Sequence, residues 1–433
     1  MNTIPKVTST TTITPSVPAG ISPKVLGVVA AASNYADKSK SVFFNNYGDA
    51  IAYFGNSTTS FLAGILQYYF TNGGRYVRIV NPGAPVVTGV TTTLNESGGV
   101  VIGETTITVA SGTSFSQNDW IKVGTGNSEC MVKILSKTGN DLSISPLPRA
   151  QVNGANVVKV TYPVQADYEK AIDTIVGSQD VDIVVTDQLD NSNGSLISYL
   201  KSAVVTASLS GHELISVYGD TPGETQTNVK NLANTLNSDC MVALFNPVLD
   251  EFGGVLHSSS TAGAVAGNIA SRKDFKRSFN WCELKGFYGT FNTLSEAEMN
   301  SLLSNGVCPV SVDNGKVKLV RAVTTYYQDE TGLASDTREE LIVKLISDYV
   351  VRTIRTTIRE NYGDKMNTSV VRDAVQSSVN VILTVLKKDE VIEEYSPTVV
   401  STSPEEPTKI NVRFGFKPIK PLNQIDIYVD ITI

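Results

Sequence analysis

Nucleophilic and metal-ligating side chains are few in this 433-residue chain, and they stand far apart. The two histidines are His212 and His257, and the four cysteines are Cys130, Cys240, Cys282 and Cys308. No CxxC pair occurs, whereas a structural zinc needs ligands clustered at short spacings. The spacing favours buried free thiols. His257 adjoins Ser258, which raises a base and a nucleophile. Neighbours along a backbone rarely align in those roles, and the GxSxG elbow is absent. The turn 219–224, GDTPGE, matches neither GxGxxG nor a Walker A loop. Arg352, Arg355 and Arg359 suit a phosphate clamp or, better, a solvated or interface helix face. No catalytic residue, cofactor site or metal site is therefore expected.

Composition points the same way. Charged residues make up 18% of the chain and the net charge is -7. Lys and Arg form no patch interleaved with aromatics, which argues against nucleic-acid binding. Thr, Ser and Asn replace the missing charge, a surface suited to extensive contact between subunits. No apolar run approaches the ~18 residues that span a bilayer. The start carries no signal-peptide pattern, so synthesis is expected to end in a cytosol.

The elements that would hold such a surface alternate along the chain. Residues 1–22 are Thr-, Ser- and Pro-rich and read as an extended arm, with Thr8, Thr10, Thr12 and Ile13 in its β-prone stretch. Residues 23–85 read strand, helix, strand. The texture of 86–162 is short strands between Gly- and Asn-rich turns, a small all-β domain inserted into an α/β chain. Alternation resumes over 163–335, which implies a sheet with helices packed on it. Gly263 and Gly267 share a helix face and admit close packing. In 336–422, a helix Thr337–Tyr362 is expected, opened by a capping box of Thr337 and Glu340. Its stripe is Ile342, Ile346, Tyr349, Val350, Ile354 and Ile358, and a second helix carries Val371, Val375, Val379, Ile382 and Leu386. After Pro397 the period becomes two. Residues 423–433 form a terminal strand arm, in which Ile425, Ile427, Val429, Ile431 and Ile433 alternate with other residues. The expected class is mixed α/β and multi-domain, with an inserted β domain and strand arms at both ends.

Taken together, the segments resemble the tail sheath family of contractile phages and related particles. Asn72–Val80 (NGGRYVRIV) is similar to that family's first helix-to-strand passage, and Asp180–Asp187 (DVDIVVTD) to its central strand. Ser260–Gly289 resembles its helix-plus-loop signature, continued by Leu302–Gly306 and Val317–Tyr326. The loop here reads Ser278-Phe279-Asn280-Trp281, where family members often carry a Pro-Ala-Asn type. Gly112–Gly124 looks like the β-rich insertions many of them bear.

The resemblance implies stacked six-fold rings around an inner tail tube, linked by terminal strands that join a neighbour's sheet. It implies contraction without ATP, which drives the tube through the host envelope. The implied partners are other copies of the chain, the tube protein, and baseplate and terminator proteins. Neither nucleic acid nor membrane insertion is implied. The implied location is the virion, after assembly in the host cytoplasm; a headless tail-like bacteriocin or other injection system fits equally. Arg352, Arg355 and Arg359 become tube-facing candidates. A carbohydrate- or host-binding module and an α/β enzyme are the rivals. The first would want exposed aromatics in the insertion, which offers mainly Trp120, and the second a convergent acid, base or nucleophile set.

Overall fold

A computed structural model describes residues 24–34, 40–188, 193–329, 331–333, 339–406 and 408–423. The chain divides into two compact units. Of the described residues, the larger comprises those within 24–273, 278–344 and 422–423, and the smaller those within 274–277 and 345–421.

In the larger unit, β1 (Val25–Val29), β2 (Val42–Phe44), α1 (Tyr47–Phe54), α2 (Leu62–Thr71) and β3 (Tyr76–Val80) come first. Then follow β4 (Val86–Thr93), β5 (Thr106–Thr108), β6 (Trp120–Val123), β7 (Cys130–Thr138), β8 (Asp141–Ile144) and β9 (Asn156–Thr161). Helices and strands next alternate: α3 (Gln165–Val176), β10 (Val181–Thr186), α4 (Gly194–Leu209), β11 (Ile215–Gly219), α5 (Gln226–Leu236) and β12 (Met241–Phe245). The unit continues with β13 (Val248–Leu249), α6 (Ser258–Ser271), β14 (Cys282–Glu283), β15 (Gly289–Thr290), α7 (Glu296–Leu303), β16 (Val307–Asp313) and β17 (Lys316–Leu319).

Nine strands form one sheet in the order β14-β17-β16-β12-β11-β10-β1-β3-β2. The run from β16 to β3 is parallel. Its strands are near-continuous apolar runs because both faces are covered. Val184 packs with α3, α4 and α5 in one core. Alternation turns Ile183 and Val185, both fully buried, to the opposite face. There α6 lies against β1, β10 and β11. The pairing of α2 with α6 depends on small residues. A Cβ at Gly263 would collide with the Ile65 carbonyl, and one at Gly267 with that of Tyr69. The shared glycine face thus lets two backbones approach.

The strands β4 to β9 make a separate six-stranded sheet, ordered β4-β9-β6-β7-β8-β5. It closes on itself. Asn95 N donates to Thr108 O (2.9 Å), Ala110 N donates to Thr93 O (2.9 Å), and Leu94 bridges Val109. Closure removes most of the unpaired edge and encloses a core that includes Ile107, Ile121, Val132, Leu142 and Val157.

The smaller unit holds most of α8 (Leu341–Tyr362), then α9 (Ser369–Lys388), β18 (Ile392–Thr402) and β19 (Ile410–Pro418). Both expected stripes appear: Ile346, Val350 and Ile354 are buried on α8, and Val375, Val379, Ile382 and Leu386 on α9. Tyr362 ties the helices, its hydroxyl 2.6 Å from Ser378 Oγ and 3.2 Å from Ala374 O. Thr368 caps α9 by accepting from Val371 N (3.3 Å).

The start of α8 differs from expectation. The helix begins at Leu341, and Glu340 instead bridges Val323 in an extended pairing. Glu340 is not the third residue of a capping box there, because it precedes the first helical residue, and its carboxylate pairs with Arg321 (2.6 Å). Thr337 lies outside the described residues.

Candidate functional site

No pair of the expected chemical residues converges as catalysis would require. His257 caps α6: its Nδ1 accepts from Ser259 N (3.3 Å) and lies 2.7 Å from Ser259 Oγ. The hydroxyl that meets the imidazole belongs to Ser259 rather than to Ser258. Ser259 is 3% exposed, so its hydroxyl is buried. His212 is held by Val181 O (2.8 Å). Cys130, Cys240 and Cys308 are buried and Cys282 half-buried, all as free thiols. Burial pushes the Cys308 thiol up to about 12 and the Cys130 thiol up to about 11, which keeps them protonated and unreactive.

The β1/β10 boundary is a topological switch point, where open α/β sheets hold ligands beyond the strand ends. Here that end of the sheet is tied down by the protein itself. Asp187 Oδ2 accepts from Ala31 N (3.0 Å), and Asn81 Oδ1 accepts from Ala32 N (3.1 Å). The barrel reaches the same place, because Trp120 Nε1 donates to Gln188 Oε1 (3.2 Å).

Trp120 is 6% exposed and belongs to a cluster that joins barrel to sheet. Phe61 stacks on His257 with centroids 3.8 Å apart and on Tyr162 at 6.0 Å, and meets Trp120 at a tilt at 5.0 Å. Tyr162 donates to Thr59 O (2.7 Å), Arg149 pairs with Asp250 (2.5 Å), and Thr58 bonds Glu129. A cleft of about 220 Å³ opens beside these contacts. Both of its acids find cations, Asp250 in Arg149 and Glu129 in Lys122 (2.9 Å). Trp120 therefore serves as a joint rather than an exposed glycan platform.

Surfaces suited to assembly lie elsewhere. The antiparallel pair β18 and β19 stands as a two-stranded sheet among the described residues, so each strand keeps one unpaired edge. Its ladder breaks at Pro397, which has no N–H to give. Asn380 of α9 fills the break by accepting from Thr398 N (3.1 Å). On α8, Arg359 is exposed while Arg352 and Arg355 are half-buried. Both strand arms, Thr8, Thr10, Thr12 and Ile13 and then Ile425, Ile427, Val429, Ile431 and Ile433, lie outside the described residues. Sequence reading missed β18 and the aromatic joint. Ile392–Thr402 reads IEEYSPTVVST, which lacks period-two alternation and holds Pro397, so only its β-branched residues hinted at a strand.

Comparison with known proteins accords with this arrangement. The phage tail sheath protein central domain matches residues 163–325, and the phage tail sheath C-terminal domain matches residues 336–432. The tail sheath protein of Bacillus phage SP01 is 25% identical over 220 residues, which are 48% of this chain. The match spans 36% of that relative's length. A sheath tail protein from Listeria innocua superposes with a TM-score of 0.62 at 14% identity, covering 92% of this chain and 93% of that one. The contracted helical sheath of the anti-feeding prophage gives 0.61 at 11% identity over 99% of both chains. At these identities the superpositions speak for the fold. With two domain matches that together cover more than half of its length, the chain belongs to the phage tail sheath family.

Proposed function

We propose that the chain acts by assembly and not by catalysis. It polymerises as stacked hexameric rings around an inner tail tube and contracts to drive that tube through a host envelope. The observation that carries this reading is the β18–β19 pair, which among the described residues has no third strand on either side. An extended segment of another chain can add to such an edge by main-chain hydrogen bonds. The two ends, Thr8–Ile13 and Ile425–Ile433, have the residue types for it. A link of this kind holds while the subunit bodies rotate, and contraction then needs only better contacts between subunits, with no nucleotide. The tube protein, baseplate and terminator proteins are the further partners, and the location is the virion after assembly in the host cytoplasm. Arg359, with Arg352 and Arg355, is proposed to face the tube through reversible electrostatic contact. A headless tail-like particle is the second reading, favoured by the fold likeness to the anti-feeding prophage sheath.

Deleting residues 424–433 tests the linking role. A folded, soluble monomer that forms no tubes is the expected result. Unfolding of the truncated chain would assign the segment to its own core and overturn the link.

A further inference from the structure

Asn423 is the last described residue before the segment 424–433, and its side chain is held from two sides. Asn280 Nδ2 donates to Asn423 Oδ1 (2.7 Å), and Asn423 Nδ2 donates to Glu340 Oε1 (2.8 Å). One amide oxygen accepts and one amide nitrogen donates, so both ends of Asn423 are used. Behind it, Glu340 is 4% exposed and takes the Arg321 guanidinium at 2.6 Å. Asn280 Oδ1 in turn accepts from Ala322 N (3.5 Å). The next residue, Val323, meets Cys308 Sγ of β16 through both its N–H (3.2 Å) and its carbonyl (3.1 Å). Asn423 is thus connected through residues 321–323 to the central sheet.

The loop that presents Asn280 carries strain. Trp281 sits at φ 53°, a left-handed conformation that bulky residues rarely adopt, with its N–H on Val320 O (3.0 Å) and its indole half exposed. Such strain persists where the surroundings over-determine it. We infer that Asn280, Asn423 and Glu340 form the anchor of the C-terminal linking segment. This positioning cluster fixes where the segment leaves the body and passes tension from it into the central sheet. The inference rests on the linking role proposed above. Freeing residues 421–423 would add up to ~10 Å of slack between the body and the strand 425–433. The effective concentration of each link falls as the tether lengthens.

The test uses the full-length chain with Asn423→Ala, Asn280→Ala, both together, and Asn423→Asp, which sets a second carboxylate against Glu340. The truncation lacking 424–433 runs beside them. Unfolding midpoint, critical concentration for tube formation and the denaturant needed to dissociate tubes are read for each. The anchor predicts that Asn423→Ala, at a surface position, leaves the unfolding midpoint in place. It raises the critical concentration and makes tubes dissociate at lower denaturant. The aspartate variant should be worse, and the double variant little worse than either single one, because the two residues share one path. Tubes that form and dissociate as wild type in Asn423→Ala and Asn423→Asp, while the truncation forms none, would overturn the anchor and spare the link. Normal tubes from the truncation would overturn the link, and the anchor with it.

Discussion

Replacing Asp187 with Asn should flatten the dependence of folding stability on pH. Asp187 is fully buried at the end of β10, and burial pushes its carboxyl up to about 7. The Ala31 N–H (3.0 Å) and the nearby Tyr168 hydroxyl pull the other way without cancelling burial. Half-buried Tyr162 also feels this carboxyl, and a charged Asp187 raises the pKa of both tyrosines. An unfolded aspartate titrates near ~3.9. The folded chain therefore binds a proton that the unfolded chain has lost between those values. The stabilisation is complete below ~pH 4 and is lost as pH rises through about 7. Three pKa units correspond to at most about 4 kcal/mol. Asn keeps the oxygen that accepts from Ala31 and carries no charge. Urea unfolding of wild type and Asp187→Asn from pH 5 to pH 8.5, at concentrations below assembly, measures the difference. The variant should gain on wild type by a few kcal/mol across that range. Parallel curves would refute the reasoning, because they would mean that Asp187 ionises in the fold at no cost.

Four other outcomes follow from the packing and the thiols. Gly263→Val should cost about 1–3 kcal/mol or more, since its side chain meets the Ile65 carbonyl of α2, and chemical denaturation reads the loss. Trp120→Ala should cost about 3–5 kcal/mol and loosen the barrel, which limited proteolysis within 86–162 would report. Native protein should react with a thiol reagent at Cys282 at most, and all four cysteines should react after unfolding. Arg359→Glu should weaken assembly templated by the tube protein and reduce its salt sensitivity; unchanged co-assembly across a salt series would place the tube at another face.

Much of the scaffold could be read before any coordinates. Val181–Val185 is an apolar run between polar turns, and it became β10 because parallel strands are covered on both faces. The stripes of α8 and α9 carried their buried faces, and Gly263 and Gly267 marked a close helix crossing. Other features depend on partners distant in sequence. Barrel closure rests on Thr93 meeting Ala110, and local alternation says nothing of that pairing. Asp187 reads as an ordinary polar residue after a strand, yet the Ala31 backbone and Tyr168 bury it. Glu340 reads as a helix-capping residue, but its bridge to Val323 and its ion pair with Arg321 keep it out of the helix. Asn280 and Asn423 are 143 residues apart, and nothing in either neighbourhood predicts that they meet.

The most direct measurement is electron microscopy of the purified full-length protein across a concentration series. Assembly through added strands predicts long hollow tubes above a critical concentration, with six-fold symmetry in end views. Small monodisperse particles at every concentration, under conditions where the chain is folded, would contradict it.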